Sequence, residues 1–383
     1  MIRNFVSALA LLASGAAVAA EPAPAPTLDY LNNKFEVERV LDWGDRPVFS
    51  PDSKRIVFTV DDWHDTPAYE MDLATRKVRC LTCRFGASGN IRRVYYLNDG
   101  SYLLTGPASL ETASTTIGAK PGTSSANYVY WMPADASMPP QPLGATVDGE
   151  VAIDYDYSPQ GTTRIAWGEI LEQQRTFVGE VVNDGKRAAL VNRTLLYDGK
   201  AADPDRPATY TETYDFIDGG KSVLFFSQQR GKPFNGMYKI DIATGKMTQM
   251  PTDAQHNETH SFPDVRFGLE ESNRGSDPTS PYRGISGHWA SSFVRSLKMI
   301  GVSDAEAAAL AVHYAGKPFD LYVHDWVSDK RRRLTTANDV NGEAHQSTPA
   351  RDGKHIAYSI RPALNGTFTG KAGIYIGTFS AGK

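Results

Sequence analysis

The chain has 383 residues, 41% hydrophobic and 22% charged, with a formal net charge of -4 at pH 7. This is ordinary globular composition, and without a surplus of Lys and Arg to neutralise phosphates it argues against a nucleic-acid binder. Two cysteines exclude a disulfide-dense scaffold and a four-cysteine zinc site.

Residues 1–20 read as a signal peptide. Arg3 is a positive start, Phe5 to Ala13 is a short apolar run, and Ala16 to Ala20 offers a small-residue cleavage site. A membrane-spanning helix needs about 20 apolar residues, and this run is too short. Residues 21–26, Glu-Pro-Ala-Pro-Ala-Pro, form a polyproline-type linker. No later segment is apolar enough to span a membrane. The mature chain is therefore expected to be exported, periplasmic or extracellular, without a transmembrane segment.

Internal repetition organises the rest of the chain. Phe49-Ser-Pro-Asp-Ser-Lys-Arg-Ile-Val-Phe58 is a tight turn running into an alternating strand. The shape returns at Leu97 to Leu104, Tyr157 to Trp167 and Phe216 to Phe226, and more weakly at Phe262 to Arg266 and Ala350 to Tyr358. Asp-Gly and Gln-Gly between apolar strands are turn chemistry, since Gly takes φ > 0 without steric cost. A second motif follows the first: Tyr69-Glu-Met-Asp-Leu-Ala-Thr-Arg-Lys77 matches Tyr238-Lys-Ile-Asp-Ile-Ala-Thr-Gly-Lys246, with a third copy at Tyr322 to Lys330. Long runs of four short strands per repeat predict a propeller.

The two motifs together, closed by Leu81-Thr82 and Leu334-Thr335, resemble the WD40-like repeat of TolB-type exported bacterial β-propellers over about residues 40 to 380. The fold expected is all-β: a six-bladed propeller of four-stranded blades occupying residues 27–383. Thr27 to Asp45 should add the outer strand to the last blade and close the ring. The long interval from Asp264 to Asp352 carries a small helical insertion in blade five, at about residues 284–316. Ser303 to Tyr314 is one predicted helix, with Ser303 as N-cap and Gly316 as stop; Gly284 to Met299 is a second. Both should lie on one face as a lid or a partner contact.

Candidate site residues stand just before the turns, on the strands nearest the channel. They are Asp154 and Asp156, Glu212 and Tyr214, Glu258 and His260, and Glu343 with His345. Residues i and i+2 of a strand face one side, so Glu258/His260 and Glu343/His345 can act as carboxylate–imidazole pairs. Such pairs serve as metal ligands or as acid and base, and equally well solvate a channel and brace its blades. The pairs are expected to converge at one mouth, with Trp289 of the insertion leaning over them. His256 is a further imidazole before the fifth turn, and Gly284-Ile-Ser-Gly-His288 fails the G-x-S-x-G pattern.

Two functions suit this pattern. The first is a scaffold binding a small ligand, an oligosaccharide or a protein partner through its channel face. The second is a carbohydrate-active enzyme, an oligosaccharide lyase or hydrolase. Here the resemblance implies a divalent metal ion, because TolB-like lyases hold one among channel His residues beside a Gln; His260, His345 and Gln346 are the counterparts. Cys80 and Cys83 lack the His of a haem-attachment motif and the βαβ setting of a redox motif, so a structural disulfide is expected after export.

Overall fold

The computed structural model describes residues 28–60, 67–85, 91–106, 127–157, 159, 161–169, 175–199, 208–229, 235–251, 256–272, 303, 319–337, 342–364, 367–368 and 372–380. The expected signal peptide and linker lie outside these residues. So do the insertion helices except Ser303, and with them Ser286, His288 and Trp289.

Five of the turns close alike. The N–H three residues on donates to the carbonyl of the turn's first residue: Ser53 to Ser50 (2.8 Å), Gly100 to Leu97 (3.0 Å), Tyr157 to Asp154 (3.4 Å), Val265 to Phe262 (2.9 Å) and Gly353 to Ala350 (3.1 Å). Gly100 and Gly353 take the left-handed conformation at φ 82° and 66°, where a Cβ would strain the backbone. Ser53 and Val265 hold it at 57° and 51°, so the repeat outlasts its glycine. The second motif is an Asx turn. Asp72 Oδ1 accepts from the N and Oγ1 of Thr75, both at 2.8 Å, and Asp241 does the same with Thr244 at 2.8 and 2.7 Å.

Joined by these turns, the strands form six antiparallel blades. Their inner strands are Asp45–Phe49, Arg93–Tyr96, the end of Gln141–Asp154, Ala208–Ile217, His256–Ser261 and Gly342–Pro349. Blades two and three share one sheet. Gln141–Asp154 pairs first with Asn127–Met132, as the outer strand of blade two, and then with Thr162–Glu169, as the inner strand of blade three.

Ring closure is as expected. Lys34–Leu41 pairs antiparallel with Gly373–Ser380 and completes blade six. Tyr30 pins the approach to it: its ring stacks on Phe262 at 4.2 Å, and its hydroxyl donates to the Gly353 carbonyl at 2.7 Å. The repeat aromatics Phe58, Trp167 and Tyr358 are fully buried between sheets, each contributing on the order of 1.5–3 kcal/mol. A disulfide joins Cys80 and Cys83 at the end of blade one. Among the described residues no helix is long and apolar enough to cross a membrane.

Candidate functional site

The repeated turn is a ruler for the channel. Four residues before its first residue stand Arg46, Arg93, Glu150, Glu258 and Gln346. In blade four a bulge between Thr213 and Asp215 shifts the register, and Glu212 takes the place. Five of the six touch in a chain around the channel. Arg46 Nη1 donates to Gln346 Oε1 (3.1 Å), and Gln346 Nε2 donates to Glu258 Oε1 (3.0 Å). Glu258 Oε2 lies 3.9 Å from Arg93 Nη2, and Arg93 is closely ion-paired with Glu150. Tyr95 Oη donates to the second Glu150 oxygen at 2.5 Å.

Above this chain, on the side of the repeated turns, lies a cavity of about 130 Å³ to which every blade contributes. Its polar lining includes Arg93, Glu150, Glu258, His260, Asp215 and Gln346, and its aromatic lining Tyr95, Tyr155 and Tyr214. At its outer edge Asp156 of blade three is ion-paired with Arg351 of blade six, and the Arg351 guanidinium sits 5.7 Å from the Tyr155 ring centre. Those two blades are opposite in a ring of six, so the pair bridges the mouth.

His260 donates from Nδ1 to Asp215 Oδ2 (3.2 Å) and meets the Tyr214 ring edge-on, centroids 5.3 Å apart. Asp215 also accepts from the Ser261 N–H at 2.7 Å, which fixes its direction. Burial works to lower the His260 pKa, but the Asp215 carboxylate outweighs it, and with Glu258 holds the imidazole above its ordinary value. Glu212 accepts from Tyr214 Oη at 3.0 Å; burial, then the charge of Glu258, push it up to about 7.

Glu343 and His345 do not reach this cavity, which corrects the expected convergence. They stand seven and five residues before the turn at Ala350, whereas Glu258 and His260 stand four and two before theirs. A strand rises about 3.3 Å per residue, so the blade-six pair lies deeper. The residue level with Glu258 is Gln346, turned inward by a bulge where its φ is 55°. His345 is completely buried beside Arg361 of the next strand, whose Nε donates to Nε2 at 2.6 Å and whose Nη2 lies 3.0 Å from Nδ1. Arg361 Nη2 also donates to Asp45 Oδ2 at 3.2 Å. Burial opposes ionisation of Asp45, yet Arg361 and Arg46 hold its carboxyl below the ordinary value. Glu343 goes the other way: burial, with Asp45 and Glu258 acting against Arg361, pushes it up to about 8.

Asp154 is likewise not a cavity group. It is the first residue of its turn, ion-paired with Arg164, which also donates to the Gly220 carbonyl of blade four. It braces the seam between blades three and four.

The implied metal ion does not fit. Both nitrogens of His345 face the Arg361 guanidinium and the Gln346 amide is taken by Arg46 and Glu258, so of the implied set only His260, through Nε2, keeps a nitrogen to offer. Among the described residues no three His, Cys, Asp or Glu groups come together as a metal-binding set.

The residues missed from sequence were Asp45, Arg46, Arg93, Glu150, Asp215 and Arg361. A signal for four of them was present: Arg46, Arg93 and Glu150 hold the fourth place before the turn, and Asp45 adjoins it. Asp215 faces inward only because of the bulge, and Arg361 comes from a second strand. Neither is visible in spacing.

No protein-family model matches the chain, and no curated protein matches it. Among solved structures it is similar to an oligogalacturonate lyase in complex with manganese, at 13% identity over 93% of this chain and 95% of that one, TM-score 0.46. It is similar to TolB from Acinetobacter baumannii at 10% identity over 87% and 66%, TM-score 0.46. It is also similar to oligogalacturonate lyase from Vibrio parahaemolyticus at 11% over 92% and 98%, TM-score 0.46. At that distance the likenesses bear on neither the site nor its chemistry.

Proposed function

We propose that the protein is an exported β-propeller that binds a small polar ligand in the cavity at one mouth of its channel. Glu258 carries this reading. Its Oε1 takes the Gln346 amide, its Oε2 is buried without a hydrogen-bond partner, and the residue lines a cavity to which all six blades contribute. An unmade hydrogen bond at a buried polar group costs about 1–3 kcal/mol, so a ligand donor placed there gains that much. The polar groups sink below the rim, which favours a small molecule over a protein surface. Export rests on the pattern of residues 1–20, and N-terminal sequencing of the cell-envelope fraction should find a chain starting near residue 21.

The test is a fragment screen by ligand-observed NMR on the purified protein. Bound fragments should be lost in both His260→Ala and Gln346→Ala, with the melting temperature held in His260→Ala. Binding that survives both substitutions places the ligand elsewhere.

A second reading, an oligosaccharide lyase or hydrolase, is favoured by the His260–Asp215 pair. An imidazole oriented by a carboxylate and open to a cavity is the arrangement of a general base. If so, His260→Ala should abolish turnover and leave oligosaccharide binding largely intact; turnover retained in that variant would dismiss it.

A further inference from the structure

Charge matching within the cavity narrows the ligand class. The lining contains four carboxylates, Glu150, Asp156, Asp215 and Glu258. Two are paired with an arginine, Arg93 for Glu150 and Arg351 for Asp156, and Asp215 is hydrogen-bonded to His260. Glu258 has only a long ion pair, to an arginine it shares with Glu150. Arg93 is 3.9 Å from its Oε2, beyond hydrogen-bond distance, and is committed to Glu150. Arg46 approaches Oε1 only through the Gln346 amide and lies outside the lining. The Glu258 side chain is nine-tenths buried and faces the cavity. The buried carboxyls of the neighbouring blades respond to its charge: Glu212 and Glu343 are both held protonated more readily, by burial first and partly by Glu258.

The outer edge of the same cavity shows a cation already in such a setting. The Arg351 guanidinium sits between the Asp156 carboxylate and the Tyr155 ring, within the reach of a cation–π contact. The inner end repeats the ingredients, a carboxylate with Tyr95 and Tyr214 nearby, without a cation hydrogen-bonded to it.

We infer that the inner end of the cavity binds the ammonium head of a small organic amine, with Glu258 as counter-ion and Tyr95 and Tyr214 as walls. An N–H⁺ donor to a carboxylate makes a stronger bond than a neutral hydroxyl, and it adds positive charge to a lining in which four carboxylates face two arginines. The volume, about 130 Å³, admits a short aliphatic amine rather than a polymer. This assignment rests on the cavity being a ligand site, as proposed above.

The experiment compares three probes with one carbon skeleton and three charges: n-butylammonium, 1-butanol and butyrate, by calorimetry on the full chain at matched ionic strength. Butylammonium should bind saturably, at least tenfold more tightly than the other two. Glu258→Gln should weaken it at least tenfold, and Tyr214→Leu, which spares the carboxylate, should weaken it severalfold. If butanol or butyrate binds as well as the amine and responds to Tyr214→Leu, the amine class is wrong and the cavity remains a ligand site. If butylammonium binding ignores both substitutions, or no butylammonium binds, the assignment falls. The fragment screen then decides separately whether the cavity binds anything.

Discussion

Glu258/His260 and Glu343/His345 look identical in sequence, a carboxylate and an imidazole two residues apart on an inner strand. In the folded chain they belong to different environments. The blade-five pair opens on a cavity, and its imidazole leans on Asp215, a residue of blade four. The blade-six pair is sealed, with His345, Arg361 and Asp45 fully buried and Glu343 nearly so. Three residues of register and one arginine from the second strand account for the difference. In a propeller, the distance to the turn sets depth in the channel, and depth decides whether a polar group meets ligand or protein.

The sharpest way to break the comparison is to remove the arginine. Arg361 serves His345 and Asp45 together at zero exposure. Truncating one member of a buried ionic set leaves its partners uncompensated, at a cost of about 3–5 kcal/mol. Arg361→Ala should therefore lose that much in urea unfolding. A loss below about 1 kcal/mol, as expected of an exposed pair, would mean that the sealed cluster is no more structural than the open one.

Next in size is a paired truncation. His345→Ala leaves a cavity and an unmatched Arg361 donor, and should cost about 2–3 kcal/mol. His260→Ala leaves Asp215 still bonded to the Ser261 N–H beside open volume, and should cost under about 1 kcal/mol. Equal losses at the two sites would erase the distinction.

A third measurement uses pH. The Glu343 pKa in the folded chain, about 8, lies above its ordinary 4.5. The native state therefore keeps a proton that the unfolded chain releases. Its contribution is fully present below pH 4.5 and is lost as pH rises towards 8. Within that window it tilts stability downward by at most about 1.4 kcal/mol per pH unit. Glu343→Gln should flatten the profile between pH 5 and 8 relative to the parent. An unchanged slope would place Glu343 in water.

Much of the fold was legible in the sequence. The repeated turns, the six blades, the closing strand before Asp45 and the Cys80–Cys83 bridge were each written in local chemistry: a left-handed turn position, an Asx turn, a short spacing. Those signals act over fewer than ten residues. The site was half legible. Glu258, His260, Tyr214 and Gln346 line the cavity, because alternation on a regular strand is a local rule. Glu343, His345 and Asp154 do not, because bulges at Thr213–Asp215 and around Gln346, and guanidinium groups from Arg361 and Arg164, are set by partners across the sheet.

The smallest expected effect tests the same contrast with an Arg–Asp pair at each end. Arg361–Asp45 lies in the sealed half, and Arg351–Asp156 crosses the mouth from blade six to blade three. The mouth pair has side chains 38% and 52% exposed, and exposed pairs contribute about 0–1 kcal/mol. Arg351→Ala should thus leave unfolding within about 0.5 kcal/mol of the parent. Binding should nonetheless change. Removing the arginine frees Asp156 and Tyr155 and takes one cation from the lining, so butylammonium should bind severalfold more tightly, with the gain shrinking as salt is raised. An unchanged affinity would show that the pair does not bar the mouth. A stability loss matching that of Arg361→Ala would show that the two ends of the channel are held together by the same means.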